Sequence, residues 1–129
     1  MDMSLKEERN RELYAAYLRV MRTTRCHLEM PRRVFFGMVV ESGASRFFIS
    51  ERMAAQYINA MERGGAVRTG VQGRRLCEDL YRVYLRKREE MRGCRKGAVI
   101  RAAVMERAPS FYILPERASD IILSGECGW

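Results

Sequence analysis

A chain of 129 residues is one ordinary domain or two very small ones, and 47% apolar residues can supply a packed core at that size. No stretch approaches the roughly 20 apolar residues of a bilayer span, and the charged start (Asp2, Lys6, Glu7, Glu8, Arg9) holds no apolar signal segment, so a cytoplasmic protein is expected. The formal charge is +8, and all basic residues but Lys6, Lys87 and Lys96 are arginine, whose planar fork matches phosphate and carboxylate and makes a polyanionic partner plausible.

Ser4-Leu5-Lys6-Glu7 has the form of a capping box and predicts a helix start. Leu13, Tyr14, Tyr17, Leu18 and Met21 then recur as one apolar stripe at helical period, running toward Thr24. Residues 25 to 30 read as a loop. Pro31 fits the first position of a second helix, where its missing N–H is not needed, and Val34, Phe35, Met38 and Val39 form the buried face expected there. Gly43 ends that helix. Arg46-Phe47-Phe48-Ile49 is too aromatic for a solvated loop and too short for a helix, and reads as an extended segment on the core. Ser50 should cap a third helix that turns Ala54, Ile58 and Met61 inward and stops at Gly64-Gly65.

Four glycines between positions 64 and 73 mark a linker, assigned to residues 65–73. Beyond it the pattern repeats. Leu76, Cys77, Leu80, Tyr81, Tyr84 and Leu85 form a second stripe, and residues 12–19 match residues 79–86 at an offset of 67, with five of eight pairs identical. Residues 44–50 lie opposite 108–114 at an offset of 64, with Ala54 and Ile58 opposite Ala118 and Ile122. The change of offset falls in the loops around Cys26 and Cys94, where an insertion is tolerated. The expected fold is all-α: two tandem copies of a three-helix, helix-turn-helix-like unit with a short extended aromatic segment. The copies span residues 1–64 and 74–129 and pack either as two cores or as one. Pro115 takes over the role of Ser50 in the second copy.

The segment from Ala108 to Ala118, with Pro109, Phe111, Tyr112 and Ile113, echoed by Arg46-Phe47-Phe48-Ile49-Ser50, resembles a PAPRFYVS signature followed by a helix. That signature is similar to one in small uncharacterised proteins of Bacteroidales phages and mobile elements. The resemblance covers the second half of each copy. It departs from the pattern at Ser45, in place of the second proline, and at Leu114, in place of the serine. It implies a genomic setting and a fold, and carries no activity with it.

Two features point to nucleic acid. A helix-turn-helix outline would make Arg52, Gln56, Asn59 and Arg63 the base-reading side chains. Against it, about eight residues separate the helices where three or four are usual, and Glu51 and Glu62 neutralise the two arginines. The denser signal is Arg82, Arg86, Lys87, Arg88, Arg92, Arg95 and Lys96, which meet only Glu89 and Glu90 in that stretch and would hold backbone phosphates without reading sequence. Arg32 and Arg33 sit in the related region of the first copy and would extend it. The same run also reads as a solvated helix face laced with i,i+3 and i,i+4 ion pairs.

The aromatic segments have the composition of base-stacking platforms, but the alternation of Phe47 with Ile49 and of Phe111 with Ile113 favours the core. Cys26, Cys77, Cys94 and Cys127 are widely spaced, and His27 is the one histidine, so no metal site, cofactor site or catalytic nucleophile is expected. The expected protein is therefore a non-enzymatic, basic, nucleic-acid-associated factor of a phage or mobile element, with DNA expected as its partner ahead of RNA. The alternative is a protein–protein adaptor or assembly component with an acidic partner.

Overall fold

The computed structural model describes residues 3–24, 29–65 and 70–125. Among them are six helices and no β-strand: α1 (Leu5–Thr23), α2 (Arg32–Val40), α3 (Glu51–Glu62), α4 (Val71–Glu90), α5 (Lys96–Val104) and α6 (Pro115–Leu123). They form two compact units. Unit 1 holds Met1–Ala44 and Pro109–Trp129, and unit 2 holds Ser45–Ala108. Packing thus cuts across the chain-order division at the linker. In unit 1, α1, α2 and α6 pack on one another; in unit 2, α3, α4 and α5 do so.

Unit 1 begins at the cap expected for it, with Ser4 Oγ accepting from the Glu7 N–H at 3.1 Å. The most deeply buried face of α1 is Asn10, Leu13, Ala16 and Val20, while Tyr14, Tyr17, Leu18 and Met21 lie half-buried at its margin. Arg9 lets an amide sit in that face by donating to Asn10 Oδ1 through Nε and Nη2, at 3.2 and 2.9 Å. Pro31 stands just outside α2, as its N-cap, one residue before the expected place. The buried face of α2 is also rotated from expectation: Phe35, Phe36, Val39 and Val40 are inside, whereas Val34 and Met38 are exposed. Aromatic packing selects that rotation. The Tyr17 ring stacks on Phe36 at 5.8 Å and meets Phe35 edge-on at 5.8 Å.

Helix α6 starts with Pro115 at its first turn and buries Ala118, Ser119, Ile121 and Ile122. A Cβ on Gly37 of α2 would lie 3.8 Å from Pro115 Cγ, an ordinary contact, so the two helices meet closely there. The preceding segment is tied down by Phe111 N–H donating to Val40 O at 3.0 Å and by the buried Ser110, whose Oγ donates to Glu41 Oε1 and accepts from the Tyr112 N–H. Tyr112 itself adopts φ +58°, a conformation a bulky residue holds only when its surroundings dictate it.

In unit 2 the Ser50 cap is present, its Oγ accepting from the Met53 N–H at 3.1 Å, and Ala54, Tyr57, Ile58 and Ala60 are buried on α3. Phe47 and Ile49 are buried with Phe48 half-buried between them, the expected alternation, and Phe47 N–H donates to Val104 O at 2.9 Å. Helix α4 starts at Val71, inside the segment expected to be linker, with Gly70 as its N-cap. Cys77, Leu80 and Tyr84 are its buried residues, and Leu76, Tyr81 and Leu85 flank them. Its chain reverses to α5 at Gly93, whose φ of +89° glycine alone adopts at no steric cost. No described helix is long and apolar enough to cross a membrane.

Candidate nucleic-acid interface

Charge is divided unevenly between the units. Residues 45–108 carry 15 Lys and Arg against 7 Asp and Glu, a net +8, while the rest of the chain carries nine of each. The whole formal charge therefore belongs to unit 2. Seven of the nine residues expected to hold phosphate lie there; Arg32 and Arg33 belong to unit 1, where Arg33 Nε pairs with Glu116 at 3.1 Å.

Of the seven cations from Arg82 to Lys96, four make i,i+3 or i,i+4 ion pairs and Lys96 pairs with Glu62. Arg82 meets Asp79 at 3.2 Å, Arg86 meets Glu90 and Glu106 at 3.7 and 3.6 Å, Lys87 meets Glu90 at 3.3 Å and also Glu106, and Arg92 Nε donates to Glu89 at 3.0 Å. The hydrogen bond with Glu106, then that with Glu90, raises the Lys87 pKa, and the same contact with Lys87 lowers that of Glu106. Solvent screens pairs this exposed, so a phosphate can replace the carboxylate partner at little cost. Arg88 lies over the Tyr84 ring, 5.8 Å from its centroid, and exposed Arg95 has no ion pair among the described residues.

Of these cations, Arg88 and Arg92 line a groove, together with Lys96. Tyr84, Arg88, Arg92, Gly93, Cys94, Lys96 and Val99, with Glu89 and Met91, line a hollow of about 300 Å³ where α4 turns into α5. Lys96 is held in place from α3: its Nζ donates to Asn59 Oδ1 at 2.8 Å and to Glu62. The turn is built by local sequence alone, because Gly93 permits the reversal that sets Arg92 and Lys96 on one hollow. Cys94 is an exposed free thiol on that hollow, and Cys77 is a buried one.

The base-reading set is placed differently. Helices α2 and α3 belong to different units, so the consecutive helix pair of the outline is not a packed pair within either; the buried Phe47 and Ile49 lead α3 onto α4 and α5 instead. On α3, Arg52, Gln56 and Arg63 are exposed, but Asn59 is half-buried and engaged by Lys96. Cys26, His27, Cys127 and Trp129 lie outside the described residues, and no cluster of metal-ligating side chains occurs among the described ones.

Unit 1 has a hollow at the corresponding place. Tyr17, Met21, Met30, Arg32, Phe35, Phe36 and Leu123 line about 370 Å³. At offsets of 67 on the long helix and 64 beyond it, Tyr17 answers Tyr84, Met21 answers Arg88, Met30 answers Cys94, Arg32 answers Lys96 and Phe35 answers Val99. Sequence reading missed both grooves. The identity of Tyr17 and Tyr84 within the matched windows was the one signal for them, and it was absorbed into the core stripe. Compared with family models, curated proteins and solved structures, the chain matches none.

Proposed function

We propose that the protein is a non-enzymatic nucleic-acid-binding factor that holds backbone phosphates through unit 2, acting inside the cell in the setting of a phage or mobile element. One observation carries this reading: the entire +8 resides on residues 45–108, and Arg88, Arg92 and Lys96 gather on one groove, with the exposed Arg95 next to Lys96 in the chain. Contacts of this kind position a protein on a duplex and do not read bases. Gln56 on α3 then has no recognition role.

We also propose that the chain arose by tandem duplication. Helices α2 and α5 are both nine residues long and start 64 residues apart, as do the starts of α3 and α6. The bond from Phe47 N–H to Val104 O and that from Phe111 N–H to Val40 O are the same pair under that offset. The second reading, a protein adaptor, is favoured by unit 1, whose equivalent groove is lined by Tyr17, Met21, Met30, Phe35, Phe36 and Leu123 with Arg32 as its cation.

Fluorescence anisotropy with a labelled duplex of arbitrary sequence tests the phosphate reading. With about four phosphates engaged, affinity should fall about 10²-fold between 50 and 200 mM salt. Reversing Arg88, Arg92 and Arg95 to Glu should remove binding, and Gln56→Ala should leave it unchanged. No binding of the unaltered protein at the lower salt sinks the reading.

A further inference from the structure

We infer that the two halves of the chain are binding partners for one another: each supplies its third helix to complete the three-helix unit built on the other's first two helices. Helix α3, from the first half, packs with α4 and α5; helix α6, from the second half, packs with α1 and α2. The receiving surfaces are reciprocal. Phe47 N–H reaches Val104 O at the end of α5, and Phe111 N–H reaches Val40 O at the end of α2. Glu51 at the start of α3 pairs with Arg101 of α5 at 2.9 Å, and at the same offset Pro115 at the start of α6 meets Gly37 of α2.

Burial makes the exchange obligatory. Phe47, Ala54 and Ile58 are wholly buried in unit 2, and Ala118, Ile121 and Ile122 wholly buried in unit 1, so without the borrowed helix each pair of acceptor helices would expose its core to water. The cationic groove depends on this as well, since Lys96 is fixed by Asn59 and Glu62 of the first half. Neither half is an autonomous folding unit. The inference is independent of what the groove binds.

The test uses the full chain. A protease site replacing residues 66–69 is cut after the protein has folded, and the cut material is analysed without denaturant. The two pieces should elute together at the volume of the uncut protein and part only in urea. Their melting temperature should rise with protein concentration, because cutting turns an intramolecular association into a bimolecular one. Pieces that elute apart, each folded, overturn the inference.

A zero-length carbodiimide cross-link then identifies the contact. The chain has only three lysines, and among the described residues Lys96 with Glu62 is a lysine–carboxylate pair that spans the cut; Lys87 with Glu106 does not. The expected product has the mass of the uncut chain on a denaturing gel, contains the Lys96–Glu62 peptide, and disappears in K96R. Formation of the Lys87–Glu106 link with no full-mass product overturns the proposal, as does a full-mass product that persists in K96R.

Discussion

Tyr17 and Tyr84 stand at the same step of their long helices, yet the grooves they wall differ in chemistry: Arg32 is the cation lining the first, whereas Arg88, Arg92 and Lys96 line the second. In unit 1 the tyrosine stacks on Phe36 and faces methionines; in unit 2 it lies under Arg88, and its groove runs to Arg92 and Lys96. The buried framework is kept, with Leu13 answering Leu80 and Ala54 and Ile58 answering Ala118 and Ile122, all without exposed surface. The differences between the two units are concentrated at the rims. A shared fold therefore says little about a shared ligand here, because the residues that set the fold and those that set the groove's charge are different residues.

The comparison is broken most forcefully at the framework. Leu13→Ala and Leu80→Ala remove the same side chain from equivalent, fully buried sites. Each should cost about 3 kcal/mol in urea unfolding, from lost transfer energy and the cavity left behind. A loss below about 1 kcal/mol at one site alone would show that the two cores are not equivalent in strength.

A swap of rims comes next in size. Arg88→Met gives the unit 2 groove the residue found at Met21, and should weaken duplex binding about tenfold at low salt, with the salt slope reduced by about one. The converse, Met21→Arg, adds a second cation beside Arg32 on the unit 1 groove and should steepen the slope if that groove lies free to meet phosphate. An Arg88→Met protein that binds as tightly as before would remove the groove from the interface and leave the cations of α4 as a solvated, ion-paired face.

What the sequence made legible was local, and what it hid depended on a choice between partners. Ser4 and Ser50 were readable as caps because the signal and the bond lie within three residues. The face of α2 was not, since Val34, Phe35, Phe36, Met38, Val39 and Val40 are all apolar and periodicity fits two rotations; the ring of Tyr17 decides between them. The Val71 start of α4 was hidden by glycines at 70 and 73, the second of which α4 tolerates inside its first turn at about 1 kcal/mol relative to Ala. The pairing of third helices was illegible for a further reason. Helices α3 and α6 offer the same Ala and Ile pattern, so either fits either acceptor pair on pattern alone. The groove was out of reach because it forms only where a helix end, a turn and Lys96 meet.

The caps offer a smaller test of the same equivalence. Ser50 and Leu114 are N-caps with nearly the same backbone, φ −69° and ψ 156° against φ −70° and ψ 147°, but only the serine makes a side-chain bond. Ser50→Ala should lower stability by about 1 kcal/mol. Leu114→Ser should raise it by up to about that amount, because Leu114 is mostly exposed and gives up little burial. An unchanged melting temperature in Ser50→Ala would count against the α3 boundary.

The smallest effect belongs to the Lys87–Glu106 pair of unit 2, and its sign is fixed by the two shifts. Glu106 titrates below its usual 4.5 in the folded protein because Lys87 holds it, so the stability it adds is present above that value and fades as the pH falls through the lowered one. Lys87 titrates above its usual 10.5 because of Glu106 and Glu90, so its share is present below that value and fades as the pH rises through the raised one. Between these limits both groups are charged, and the contribution is flat. Lys87→Met should therefore lower the melting temperature by a small, constant amount across neutral pH, and the gap to the unaltered protein should close at both extremes. Added salt should narrow it as well, since both side chains are partly exposed. A gap that stays the same below about pH 4.5 and above about pH 10.5 would mean that the charges of the Lys87–Glu106 pair add nothing to stability.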